Sequence, residues 1–140
     1  MSTPALVGSC GCGAVRFEIA EPLLGALYCH CTRCQKRSGT AYQASALAAP
    51  GSVTVTDGAE HLRDWRPGGH AKAYCGECGA HLFARDPETG AIAAVRMSAI
   101  DGDPGVRPQA RQYVAYHPAW SAIPDDGLPR YDEAMPRLQR

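Results

Sequence analysis

Apolar Val15, Phe17 and Ile19 alternate with polar Arg16 and Glu18, a period of two that places the apolar set on one face of an extended chain. Runs at residues 52–56, 72–74, 81–85, 92–97 and 112–116 have similar character and predict further short strands. Fifteen glycines and eleven prolines punctuate these runs. In Asp86-Pro87-Glu88-Thr89-Gly90, proline at the second turn position followed by glycine predicts a hairpin connection. No segment carries a 3.6-residue apolar stripe through three turns; the one short helix expected covers residues 32–37, with Gly39 ending it. The stretch from Pro118 onward carries Trp120, Leu128 and Tyr131 and is expected to wrap over the core as an ordered strap. Short strands and turns therefore dominate the expected fold.

A chain of 140 residues is expected to form one domain, residues 1–140. Its 14 basic and 14 acidic residues cancel, so it lacks the electrostatic footprint of a nucleic-acid or anionic-lipid binder. Apolar stretches such as residues 44–49 fall far short of the roughly 20 residues a membrane span requires. Residues 1–7 lack the basic start and apolar core of a secretory signal, and a cytoplasmic location is expected. Thiols stay reduced there, so clustered cysteines point to metal binding rather than disulfides, and an odd count of seven cannot all pair.

Those seven cysteines divide into four and three. Cys10 and Cys12 are spaced C-x-C, and Cys75 and Cys78 are spaced C-x-x-C. Four thiolates complete a tetrahedral zinc site and leave no position free, which favours a structural role. Cys75-Gly76-Glu77-Cys78-Gly79 lies between two strand-like runs and predicts a tight hairpin turn in which Gly79 takes positive φ. A shared ion would clip the N-terminal strand to the middle of the chain, closing a loop of about sixty residues.

Cys29, Cys31 and Cys34, in the run Cys29-His30-Cys31-Thr32-Arg33-Cys34, are three ligands that leave one corner open to water or substrate. A zinc so held can polarise a carbonyl or bind a thiol as thiolate. Arg33, Lys36 and Arg37 follow and are candidates for holding a substrate carboxylate. The plainer reading is an ordinary site completed by histidine, beside solvated basic residues. His30 lies between two ligands and is expected to point away from their shared face; His81 could approach either ion; His61, His70 and His117 have no distinguishing spacing.

Three stretches carry a family resemblance: Gly8-Ser9-Cys10-Gly11-Cys12-Gly13-Ala14-Val15-Arg16-Phe17, Cys29-His30-Cys31-Thr32-Arg33-Cys34-Gln35-Lys36-Arg37-Ser38-Gly39, and Tyr74-Cys75-Gly76-Glu77-Cys78-Gly79-Ala80-His81-Leu82-Phe83. With residues 108–114, Trp120 and residues 126–131, the chain resembles the glutathione-dependent formaldehyde-activating enzyme (GFA) family, also named for centromere protein V, over about residues 8–131. All seven cysteines fall in register. The resemblance implies a mainly β, Mss4-like zinc-binding fold of short antiparallel strands with one short helix. It also implies two zinc ions per chain: a structural one on Cys10, Cys12, Cys75 and Cys78, and a catalytic one on Cys29, Cys31 and Cys34.

The implied activity is that of a carbon–sulfur lyase or synthase. It would join a thiol such as glutathione to formaldehyde or a related small electrophile, giving S-(hydroxymethyl)glutathione, or run the reverse. The implied partners are those small molecules, with no nucleic acid and no membrane, for a monomer or homodimer. Arg111 stands where many members carry histidine. Two alternatives remain open: a noncatalytic zinc-stabilised binding module of the same fold, and an iron–sulfur protein, since thiolates also suit iron.

Overall fold

The computed structural model describes residues 6–136. Part of the N-terminal segment read above for a targeting signal thus lies outside the described residues. Ten strands are described: β1 (Leu6–Ser9), β2 (Arg16–Ile19), β3 (Gly25–Cys29), β4 (Gln43–Leu47), β5 (Val53–Asp57), β6 (Leu62–Trp65), β7 (Ala71–Cys75), β8 (His81–Arg85), β9 (Ile92–Arg96) and β10 (Pro108–Gln112). One α-helix, α1 (Thr32–Ser38), lies between β3 and β4, and Gly39 closes it at φ 72°. Short 3₁₀ turns cover Ala59–His61, Met97–Ala99 and Val114–Tyr116.

The strands form two sheets. The smaller runs β1-β2-β5; the larger runs β10-β3-β4-β9-β8-β7-β6. Pairing is antiparallel except between β10 and β3. The fold is mainly β with one short helix, as the sequence predicts. The alternation of β2 buries Phe17 and Ile19 and leaves Arg16 and Glu18 in solvent. Phe17 meets Phe83 of β8 edge to face, with ring centroids 5.0 Å apart, so the buried cluster is continuous between the two sheets.

Two expectations need correction. Residues 112–116 are not a strand: β10 ends at Gln112, Tyr113 takes φ 57°, and Val114–Tyr116 is a 3₁₀ turn. A left-handed backbone at a non-glycine residue stops the ladder despite the aromatic, β-branched composition. Trp120 does not anchor the C-terminal strap, because 73% of its surface is exposed. Backbone hydrogen bonds hold that strap instead, from Arg111 N–H to the Pro129 carbonyl, from Tyr131 N–H to Arg111, and from Val114 N–H to Tyr131.

The turn chemistry explains how distant cysteines meet. Gly79 sits at φ 79°, its N–H bonds the Cys75 carbonyl at 2.8 Å, and Cys75 N–H bonds the Ala80 carbonyl at 3.0 Å, so the C-x-x-C-G run is the turn between β7 and β8. Gly58, at φ 78°, packs directly under the carbonyl of Ala14, where any Cβ would collide. That approach seats the loop bearing Cys10 and Cys12 against the chain leaving β5.

Candidate metal centres

The Sγ atoms of Cys10, Cys12, Cys75 and Cys78 all lie within 4.8 Å of one another. Cys10 and Cys12 are 3.7 Å apart, and Cys12 and Cys75 are 3.9 Å apart. A tetrahedral zinc with Zn–S near 2.3 Å has an S···S edge of about 3.8 Å, so the spacing fits that ion. Val15 N–H points at the Cys10 sulfur and Glu77 N–H at the Cys75 sulfur, each at 3.3 Å. Such donors stabilise thiolates; the Ala80 backbone N–H holds Cys78 down to about 6. Cys10 and Cys75 are buried, whereas Cys12 and Cys78 are exposed.

Cys29, Cys31 and Cys34 form the second convergent set, also within 4.8 Å. Cys29 ends β3, Cys31 caps α1 by accepting from Cys34 N–H at 3.3 Å, and Cys34 lies in the first turn. The sulfurs of Cys31 and Cys34 are 3.2 Å apart. Hydrogen bonds from Cys29 and Cys34 pull the Cys31 thiol well below its usual range, and contacts with Cys29 and then Cys31 push Cys34 up. Neither cluster includes a histidine. Both donor sets are all sulfur, which suits zinc or another thiophilic ion.

The two clusters differ in what lies over them. The three cysteines open into a cavity of about 670 Å³ whose floor is one face of the large sheet. Strand register arranges that floor in rows: Gln112, Cys29 and Gln43; then Leu27, Ser45 and Arg96; then Leu47, Ala94, Ala84 and Lys72. Ala84 and Ala94 keep the middle of the last row shallow. Arg33 and Arg37 of α1 also line the cavity, and their guanidinium groups lie 5.9 and 5.2 Å from the Trp65 ring centre. Lys36 is exposed and faces, with Trp65, a shallower adjoining cavity of about 470 Å³. No acidic residue lines the three-cysteine cavity among the described residues. Burial disfavours the charged forms of Arg37, Lys72 and Arg96, and Arg96 repels Lys72 further.

The sequence profile of the family described as "Glutathione-dependent formaldehyde-activating enzyme" matches residues 5–116, a span that contains all seven cysteines. The chain belongs to that family. A Halomonas elongata protein named "Putative glutathione-dependent formaldehyde-activating enzyme" is 33% identical over 107 residues, covering 70% of this chain and 67% of its own. A crystal structure of a Rhodobacter sphaeroides protein superposes with a TM-score of 0.55 at 24% identity, covering 89% of this chain and 98% of that one, and supports the fold.

Within this GFA-family chain, His30 turns away from the sulfurs, as its place between two ligands predicts. It is 1% exposed, lies tilted against the Tyr42 ring with centroids 5.0 Å apart, and accepts a hydrogen bond at Nε2 from Arg111 at 3.2 Å. Burial, with Arg111 next, pushes its pKa down to about 4, so the ring is neutral. Arg111 is itself 3% exposed, lies over the Tyr28 and Tyr42 rings at 4.4 and 5.2 Å, and pairs with Asp126 at 2.8 Å. Arg111 therefore ties the C-terminal strap to the loop that carries Cys29 and Cys31. His81 lines a separate cavity with Cys10, Arg37 and Arg96; burial, followed by the two arginines, lowers it to about 4.

Arg111 also predicts an acid response. Hydrogen bonding to Arg111 holds the Asp126 carboxyl below its usual range, so this pair stabilises the fold above the ordinary carboxylate pKa and is lost as pH falls through the lowered value. Asp126→Asn is expected to lower the melting temperature at pH 7 and speed amide exchange at Tyr131, whose N–H bonds the Arg111 carbonyl. Unchanged exchange there would show that the strap does not depend on the pair.

Proposed function

We propose that the three-cysteine cavity is the reaction site of a zinc-dependent carbon–sulfur lyase or synthase, which adds a thiol such as glutathione to formaldehyde or a related small electrophile, or reverses that addition. One observation carries the reading. Three sulfurs converge at a cavity wide enough for a small peptide, whereas the other cluster has four sulfurs and is closed by its own ligands. Cys29, Cys31 and Cys34 would hold the catalytic zinc; Cys10, Cys12, Cys75 and Cys78 would hold the structural one. Zinc at an open three-thiolate site supplies a Lewis acid that favours the thiolate form of a bound thiol and polarises a carbonyl.

The chain's own residues would do the rest. Arg33 and Arg37 flank the sulfurs and attract an anionic thiol. Gln35 donates to the carbonyls of His30 and Tyr116 at 2.7 and 2.8 Å, which fixes the cysteine loop against the strap. Preset geometry of that kind lets the sulfurs receive substrate without reorganising. The addition balances simply: a C–S bond forms, the carbonyl π bond breaks, and the thiol proton ends on the new hydroxyl.

One domain spanning residues 1–140 goes with this reading, supported by the continuous core of the described residues, and a cytoplasmic setting goes with it as well. Exchange spectroscopy on ¹³C-formaldehyde with glutathione tests it. Zinc-loaded protein is expected to raise the rate of adduct formation and breakdown in proportion to its concentration, and chelated protein is expected to leave the spontaneous rate. Equal rates with and without protein would reject the reaction in favour of a noncatalytic zinc module.

A further inference from the structure

We propose that Arg96, with Lys72 and Arg37, forms a carboxylate receptor that selects acidic thiols, an inference that rests on the three-cysteine cavity being the thiol site. Arg96 ends β9, a central strand of the large sheet, and is 8% exposed. Its one side-chain hydrogen bond runs to Ser45 Oγ at 2.8 Å, and its Nε has no partner among the described residues. Arg37 Nε and one of its terminal nitrogens are buried and unpartnered in the same way. Buried guanidinium groups rarely persist without an anion to hydrogen-bond.

The protein supplies too little negative charge here. A divalent ion on three thiolates would leave the cluster with one net negative charge, against the buried Arg96, the partly buried Arg37 and Lys72, and no acidic side chain in the lining among the described residues. A second cavity, of about 670 Å³, shares Arg37, Gln43 and Arg96 with this one, but Asp101 is in its lining. An anion partner for these unpartnered nitrogens is therefore expected on the cysteine side. Strand spacing sets its distance from the sulfur: Arg96 stands two strands and one row from Cys29, so their Cα atoms are roughly 12 Å apart. The receptor thus favours a thiol whose carboxylate lies several bonds from its sulfur, and a planar guanidinium fork is the side chain best suited to grip it.

Calorimetric titration of the zinc-loaded protein with S-methylglutathione, which keeps both carboxylates and blocks the sulfur, tests the receptor without formaldehyde or turnover. Arg96→Gln and Lys72→Gln are each expected to weaken binding about tenfold or more at unchanged zinc content, and esterifying the ligand's carboxylates is expected to weaken it for the parent. Where Arg96→Gln does not fold, Arg96→Lys is the second variant, expected to keep the charge and bind weakly through loss of the fork. Parent-like affinity in the variants, equal binding of the ester, or no binding to the parent overturns the receptor. Binding that depends on Arg96 in a protein that leaves formaldehyde untouched keeps the receptor and removes the proposed reaction instead.

Discussion

Cys75→Ser is expected to unfold the protein at room temperature and abolish its tight metal binding. Cys75 is fully buried at the end of β7, its sulfur lies 3.9 Å from that of Cys12, and its backbone closes the β7–β8 turn. A structural zinc contributes folding free energy outright, apparent values for isolated zinc modules being about 10–16 kcal/mol at neutral pH. The net stability of a domain is only about 5–15 kcal/mol, so loss of that ion would exceed or consume most of the margin. Far-ultraviolet circular dichroism and metal analysis of the purified variant check it. A Cys75→Ser protein with parental melting temperature would show that the four-sulfur cluster does not hold the fold together.

Cys31→Ala is expected to do the opposite, abolishing turnover while sparing the fold. Cys31 is half-buried at the edge of the cavity, and its main structural contribution is capping a seven-residue helix. Removing a cap costs about 1 kcal/mol, well within the margin of a folded domain. Its sulfur, in contrast, contacts both of the others, and its loss would leave only the Cys29 and Cys34 sulfurs to hold an ion. Glutathione–formaldehyde exchange should then fall to the spontaneous rate, with the thermal transition shifted by only a few degrees. Full activity in Cys31→Ala would remove the open three-sulfur site from the mechanism.

The sequence made the two cysteine clusters legible because their spacing is local: C-x-C and C-x-x-C place sulfurs together whatever surrounds them, and Gly79 and Gly39 mark the turn and helix end that do so. β2, a strand with one solvated face, was equally readable. β3 (GALYC) and β4 (QASAL) were harder, because central strands of the large sheet mix small and buried residues without alternation. Tyr113 and Val114 had strand composition, yet the backbone turns left-handed there to meet the strap.

Arg96, Lys72 and Trp65 carried no local signal. Each joins the cavity only through strand register or hairpin placement, tens of residues from Cys29, Cys31 and Cys34, and no spacing rule reaches that far. Arg111 stood out only as a departure from the pattern that the family resemblance implies. Its clamp on His30 and Asp126 required the parallel pairing of β10 with β3, which brings Arg111 beside Tyr28. Trp120 illustrates the converse, a large aromatic residue whose surroundings leave it in solvent.

The difference in kind between the two clusters is tested most directly by zinc per chain, measured during mild chelation together with circular dichroism. Two zinc ions are expected, one leaving early while the β signal persists and the second leaving only as the fold collapses. A single zinc, or two that depart together with the fold, would contradict the division into an open reactive site and a closed structural one.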